Sequence, residues 1–221
     1  MNPIEPITLF HAPQSRSAGV LTLLEELGAA YKLAILNIKA GEQRKPDFLA
    51  VNPLGKVPAI LHRGVLVTEQ VAIFIYLADL FPNAKLAPAI DDSRRGSYLR
   101  WLVYYAACLE PAVTDKALGR EPGPSAMSPY GDYDHVVNTL EEQLRSGPYL
   151  LGDDFSAADI LWGGALNWMI AFKLIPGNDT FRSYAARIAG RPAAIKIARQ
   201  DEALAATHQR AVDASRANDL P

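Results

Sequence analysis

Apolar and polar positions alternate along this chain in two regimes. The short apolar run ITLF (7–10) ends at HAPQS, as a strand running into a loop does. From Ser17 the period becomes helical. Val20, Leu24 and Leu27 share one face, Glu25 and Glu26 lie on another, and Gly28 ends the segment. YKLAILNI (31–38) reads as a second strand, followed by a polar stretch with Gly41 and Pro46 and a brief turn at PDFLAVN. PAILHRGVLV reads as a hairpin about Arg63-Gly64, and residues 69–81 as a helix stopped by Pro82. Two strands joined through a helix should be parallel and the hairpin pair antiparallel, which gives a small mixed sheet of βαβ-ββα order covered by helices. After PNAKLAPAIDD strand signals vanish. A long helical pattern over 92–118 carries Pro111 as its kink, and a loop rich in Pro, Gly and Ser (119–131) follows. Helices are expected at 132–146, over FSAADILWGGALNWMIAFKL, near 180–189 and at 192–206, before a frayed tail, DASRANDLP. Ser156 and Asp159 form a capping-box variant, a structural feature. The expected layout is an α/β domain (1–84), a linker (85–91) and an all-α domain (92–221).

Composition narrows the function. The 221 residues suit one large domain or two small ones, with 22 Lys and Arg against 24 Asp and Glu. That balance suggests neither a nucleic-acid partner nor a charged tail. MNPIEPITLF does not read as a signal peptide, and ILWGGALNWMIAFKLI (160–175) is too short to span a membrane. The single cysteine, Cys108, excludes an intramolecular disulfide and fits a reducing compartment, so a cytoplasmic location is expected. The histidines show no zinc spacing, and the phosphate-loop, dinucleotide and nucleophile-elbow motifs are absent.

Two short stretches carry chemistry. Proline donates no backbone hydrogen bond, and the residue before it is driven to extended geometry. Val57 therefore has the shape of a strand without needing a strand partner, and its N–H and C=O are suited to an extended peptide. From the residues alone, a trans Val57-Pro58 bond is the favoured form. Thr68-Glu69-Gln70 opens the next helix. It reads either as a cap with an acid suited to the dipole, or as free N–H groups for a carboxylate beside an acid for an ammonium. A ligand combining an extended peptide with a carboxylate and a free amine would use all of these, and glutathione is such a ligand.

In order and spacing, ITLFHAPQSRSAGVLTLLEELGAAY, NPLGKVPAI and TEQVAIFIYLADLFP resemble the N-terminal domain of the cytosolic glutathione transferases, and FSAADI resembles the family's capping box in its helical domain. The resemblance runs over residues 7–205 and has a bacterial, serine-type character. It implies a thioredoxin-like domain with cis Pro58, an all-helical C-terminal domain and a homodimer. It also implies that Val57 pairs with the cysteinyl unit of glutathione and that Glu69 and the amide of Gln70 take the γ-glutamyl end. Lys56, with Lys39 or Gln43, would face the glycyl carboxylate. The family usually has Ser or Thr at position 70; Gln70 keeps the backbone donor and exchanges the hydroxyl for a longer amide.

The glutathione thiol must be made a thiolate to react. A hydroxyl at a helix N-terminus suits that anion, and QSRSAG supplies Ser15 and Ser17. Ser15 is expected to be the donor, with Ser17 nearer the cap. Counting back from Gly28, the serine-using classes of the family place their hydroxyl at Gln14 and the cysteine-using classes their thiol at Arg16, whose charge could also stabilise a thiolate. His11 is a further candidate in the same loop, although a lone loop histidine is ordinarily a bystander. HAPQSRS contains no cysteine, so dithiol exchange by this loop is excluded.

Tyr98, Trp101, Tyr104 and Tyr105 lie at helical neighbour spacing. They either line a pocket for an apolar electrophile, with Tyr98, Trp101 and Tyr105 as its walls, or pack between helices. Arg94 and Arg95 read as a solvated face, with glutathione contact as the alternative. The expected activity is detoxifying transfer of the glutathione thiolate to a small hydrophobic electrophile, with glutathione as co-substrate and no other cofactor. The rivals are a non-catalytic binding protein of the same fold and a glutathione-dependent peroxidase or disulfide reductase.

Overall fold

The computed structural model describes residues 5–121, 123, 124 and 126–218. The chain divides into two compact units, Met1–Leu77 with Pro192–Pro221, and Ala78–Arg191. In the first, β1 (Ile7–His11), α1 (Ser17–Glu26), β2 (Tyr31–Ile35), α2 (Pro46–Leu49), β3 (Ala59–His62), β4 (Val65–Thr68) and α3 (Gln70–Leu80) follow in order, α3 ending just past the unit's boundary. The sheet order is β2-β1-β3-β4, with β1 and β2 parallel and the other pairs antiparallel. The mixed sheet matches the expected thioredoxin-like arrangement. β2 is shorter than the apolar run suggested. It stops at Ile35, and Ile38–Ala40 form a 3-10 turn whose amides are held by the Asn37 side chain.

Strand β1 alternates buried and half-buried, so Ile7, Leu9 and His11 face one side. Ile7 and Leu9 are buried with Val20, Leu23 and Leu24 of α1 and Ile73, Phe74 and Leu77 of α3. Each such burial is worth roughly 1.5–3 kcal/mol. Gly28 adopts a left-handed φ of 62°, and Ala29 N–H returns to the Leu24 carbonyl at 3.0 Å. That closure ends α1 where the glycine marked it.

The second unit holds α4 (Arg95–Tyr104), α5 (Glu110–Ala117), α6 (Tyr133–Arg145), α7 (Ala157–Ala171) and α8 (Asp179–Ala189). The expected helix over 92–118 is interrupted by a π-helical turn at Tyr105–Leu109. Pro111 lacks an N–H and its ring crowds the carbonyl four residues back, and the wider turn makes room for it. Residues 122 and 125 of the expected 119–131 loop lie outside the described residues. At the start of α7, Asp159 accepts hydrogen bonds from Ser156 N–H and Oγ, Leu150 N–H and Tyr184 Oη at 2.8–2.9 Å. The capping pair is thus a fully buried structural knot.

The last helix, α9 (Pro192–Asn218), changes the expected picture twice. It continues through residues assigned to a frayed tail, of which only 219–221 lie outside the described residues. It also belongs with the α/β unit and not with the helices before it. Ile197 and Ala205 are buried in that unit, and Lys196 bonds Glu25 of α1 at 2.7 Å. No helix among the described residues is long and apolar enough to cross a membrane.

Candidate functional site

Strand register brings three loops together at one end of the sheet. Phe10 of β1 pairs with Ala59 of β3, and Ala59 pairs with Thr68 of β4. The end of β1, the start of β3 and the end of β4 therefore meet, carrying residues 11–17, Val57-Pro58 and Glu69-Gln70. A further hydrogen bond ties the first to the third: Gln70 Nε2 donates to the Arg16 carbonyl at 3.0 Å.

The Val57-Pro58 bond is cis. Pro58 is buried and Val57 half-buried, and among the described residues the Val57 N–H and C=O take no part in the backbone hydrogen bonds of the loops or ladder. The loop before it is shaped by buried Asn52, whose Nδ2 donates to the Lys56 carbonyl at 2.9 Å and whose Oδ1 accepts from Leu54 N–H at 3.2 Å. Lys56 is exposed. A backbone segment with both groups unpaired in the loops and ladder, fixed at its base by a side-chain amide, can accept a peptide.

Helix α3 begins at Gln70, so Glu69 and not Thr68 stands just before it, exposed and with a left-handed φ of 66°. A non-glycine residue in that region costs about 1–3 kcal/mol and is held there by its surroundings. The first N–H groups of α3 lack partners within the helix, as at any helix start. Gln70 Oε1 is buried with no partner among the described residues. The side chain at 70 therefore faces α1 through its NH2 and leaves its carbonyl oxygen unspent.

The serines have different positions. Ser15 is half-buried, and its hydroxyl donates to the Ala12 carbonyl at 2.7 Å and lies 2.7 Å from Ser17 Oγ. Ser17 is 0% exposed and is the first residue of α1, with Oγ accepting from Ala12 N–H at 3.1 Å. Ser17 therefore cannot meet a thiol directly, and its expected catalytic contact is corrected to one behind Ser15. His11 is likewise corrected as a glutathione contact. It is 1% exposed, because the period of β1 turns it inward with Leu9. Arg16 is exposed at the loop corner, and Gln14 is exposed with a left-handed φ of 56°.

The expected glycyl contacts are spread. Lys39 Nζ donates to Gln209 Oε1 of α9 at 2.9 Å, and Gln43 is half-buried with Oε1 unpartnered among the described residues. A small cavity of about 80 Å³ lies between Pro13, Gln14, the Asn37–Lys39 turn, Ala205 and His208. It places Lys39 beside the serine loop but not beside Lys56.

The aromatic residues of the second unit are core. Tyr98, Trp101 and Tyr105 are 0%, 1% and 2% exposed, and Trp162 packs edge-on against Trp101 and Tyr105. Of the two readings open from their spacing, packing between helices describes them, and they form no open wall for an electrophile. Arg95 forms a two-pronged pair with Asp79 at 2.7 Å, and Arg94 is held by Asp92 and Asp154.

Sequence reasoning missed Asp201 of α9. Its Oδ2 accepts from Gln14 N–H at 2.8 Å, and its Oδ1 lies 3.4 Å from His11 Nε2. The signal was a carboxylate midway between the buried Ile197 and Ala205 at four-residue spacing, on the face that a helix turns toward its core.

Comparison with known proteins agrees with this geometry. The glutathione S-transferase N-terminal domain model matches residues 5–79 and the C-terminal domain model residues 131–187. Glutathione S-transferase GstA of Escherichia coli O157:H7 is 31% identical over 189 residues, covering 83% of this chain and 93% of that protein. The disulfide-bond oxidoreductase YfcG of Escherichia coli K12 is 27% identical, covering 85% and 92%. A Sulfitobacter glutathione transferase homologue, solved with bound glutathione, superimposes with a TM-score of 0.70 at 27% identity, covering 88% and 98%. With this sheet, these loops and these relatives, the chain belongs to the glutathione S-transferase family.

Proposed function

We propose that the protein is a glutathione transferase that binds glutathione at the meeting point of the three loops and adds its thiolate to a small apolar electrophile. The observation that carries the reading is the Val57 backbone, unpaired in the loops and ladder, beside the start of α3 and the serine loop. Val57 pairs with the cysteinyl unit, and the α3 amides with Glu69 hold the γ-glutamyl end. Lys56 faces the glycyl carboxylate. Ser15 donates its hydroxyl hydrogen to the sulfur, favouring the anion by a charge-assisted hydrogen bond. The acceleration then comes from orientation and thiolate stabilisation. The working unit is proposed to be a homodimer, which light scattering on the purified protein tests.

A second reading, glutathione-dependent disulfide reduction, is favoured by the likeness to a disulfide-bond oxidoreductase, with glutathione supplying the thiols that the cysteine-free loop lacks. Retention on immobilised glutathione, followed by turnover of an aryl halide, an organic peroxide and a mixed disulfide, separates these readings. Transfer predicts turnover of the aryl halide. Activity confined to the disulfide assigns reduction, and retention without turnover assigns a binding protein. Ser15→Ala removes one hydrogen bond to a charged group, worth about 1.5–3 kcal/mol, and so lowers kcat/KM roughly 10- to 100-fold. Unchanged kcat/KM in Ser15→Ala removes that residue from the mechanism.

A further inference from the structure

Behind Ser15, polar groups continue inward in a line. Ser17 Oγ lies 2.7 Å from Ser15 Oγ and 2.9 Å from His11 Nδ1, and the far side of the imidazole, Nε2, lies 3.4 Å from Asp201 Oδ1. Four residues from three segments, β1, the serine loop with the start of α1, and α9, thus form one chain from a half-buried carboxylate to the half-buried hydroxyl. Its direction follows from counting protons. Asp201 Oδ1 is buried with no hydrogen-bond partner among the described residues, the 3.4 Å approach of His11 Nε2 being an ion-pair distance, and a carboxylate oxygen only accepts. An uncompensated buried oxygen is costly, so the hydrogen of a neutral His11 belongs on Nε2, facing Asp201. Nδ1 is then bare and accepts the hydroxyl hydrogen of Ser17. One lone pair of Ser17 Oγ takes Ala12 N–H and the other is open to the hydroxyl of Ser15. The Ala12 carbonyl is the competing acceptor for both hydroxyls, at 2.7 Å from Ser15 Oγ and 3.0 Å from Ser17 Oγ, and the line runs inward when Ser15 turns its hydrogen to Ser17 and Ser17 its own to His11.

We propose that Asp201, His11, Ser17 and Ser15 act as a hydrogen-bonded relay that receives the proton of the bound thiol and holds it on His11. This rests on the glutathione reading above. The S–H proton passes to Ser15 Oγ, the proton of Ser15 passes to Ser17 Oγ, and the proton of Ser17 passes to His11 Nδ1. The S–H bond is broken, each serine has exchanged one proton for another, and the products are a thiolate bonded to Ser15 and an imidazolium facing the Asp201 carboxylate. After the thioether leaves, the proton returns outward along the same line to water. Ser15 is the catalytic residue; Ser17, His11 and Asp201 act through it. The charged groups on the packed elements are Asp201 on α9 and Arg16 at the exposed loop corner, and β2 sets Ile35 opposite His11. Asp201 also holds Gln14 N–H, so the same carboxylate shapes the loop and orients the ring.

Asp201→Asn separates these two duties. Its amide oxygen can still accept from Gln14 N–H, while its NH2 faces Nε2 and drives the imidazole hydrogen to Nδ1, where it blocks the relay. An inverted tautomer of this kind leaves geometry intact and cuts turnover. In full-length protein with bound glutathione at neutral pH, Asp201→Asn and His11→Gln are expected to lower the ultraviolet absorbance of the thiolate. Turnover of an aryl halide should fall about 10- to 100-fold in kcat, with the KM for glutathione changed less than about threefold. A purely structural role would instead raise KM and lower the thermal midpoint together. Wild-type thiolate absorbance and kcat in a variant that binds glutathione overturn the relay. Nitrogen NMR of the wild-type imidazole needs no variant: hydrogen on Nε2 is expected, and hydrogen on Nδ1 overturns the proposal. A wild-type protein that fails to bind glutathione at all, by calorimetry, overturns the glutathione reading and the relay with it.

Discussion

Gln14 and Glu69 are non-glycine residues with left-handed backbones, and both border the same site. Strain at that scale persists only where neighbours hold it, as the Asp201 carboxylate holds the amide of Gln14. Ser15 and Ser17 show how finely position matters: two residues apart, one is half-buried in the loop and the other is sealed beneath it. Cys108 sits outside this chemistry. Burial pushes its thiol up from the ordinary value, with Arg100 opposing more weakly. A raised thiol value means less thiolate at neutral pH. Cys108 should therefore react with iodoacetamide more slowly than a free cysteine, and the rate should climb only above the ordinary thiol range. Cys108→Ser should leave turnover unchanged, which steady-state assay checks.

Among the elements, the best-read ones were those whose boundaries have a local cause. Gly28 closes α1, Arg63-Gly64 turns the hairpin, and Pro82 follows α3. The period over 92–118 is helical and the chain there is helical, but nothing in that period marks the π-helical turn at 105–109. A proline says that the ladder must yield, and only the packed surroundings decide how. Tyr98, Trp101 and Tyr105 have the same spacing whether they line a pocket or fill a core, so periodicity could not separate the two. The packing of α7 on α8 gives a direct test. A Cβ on Gly163 would stand 2.4 Å from Ile188 Cβ, so the two helices approach closely enough that only glycine fits. Gly163→Ala should destabilise the protein by about 1–3 kcal/mol in urea unfolding. Adding Ile188→Ala removes the contacts with Cγ1 and Cγ2 at 2.5 and 2.7 Å but keeps the Cβ at 2.4 Å, so most of that loss should remain.

The whole molecule depends on α9 returning to the α/β unit. Lys196 and Tyr31 both hydrogen-bond Glu25, and together they hold its carboxyl below the usual value despite partial burial. A carboxyl depressed in the folded state stabilises that state above its unfolded value, and the benefit disappears as pH falls through the folded value. Lys196→Met should thus unfold more readily than wild type at neutral pH, with the gap narrowing through the acid range and closing below the folded value. Urea titrations across that range measure it. The sequence by itself determined the mixed sheet, the helical second half, the open Val57-Pro58 segment and the family, because strand alternation, helix period and turn residues are local and each has a local cause. The placement of α9, the burial of His11 and Ser17, and the line from Asp201 to Ser15 were decided only by tertiary structure. Those features join residues as far apart as 11 and 201, and no local pattern specifies which distant side chain will meet a given buried group.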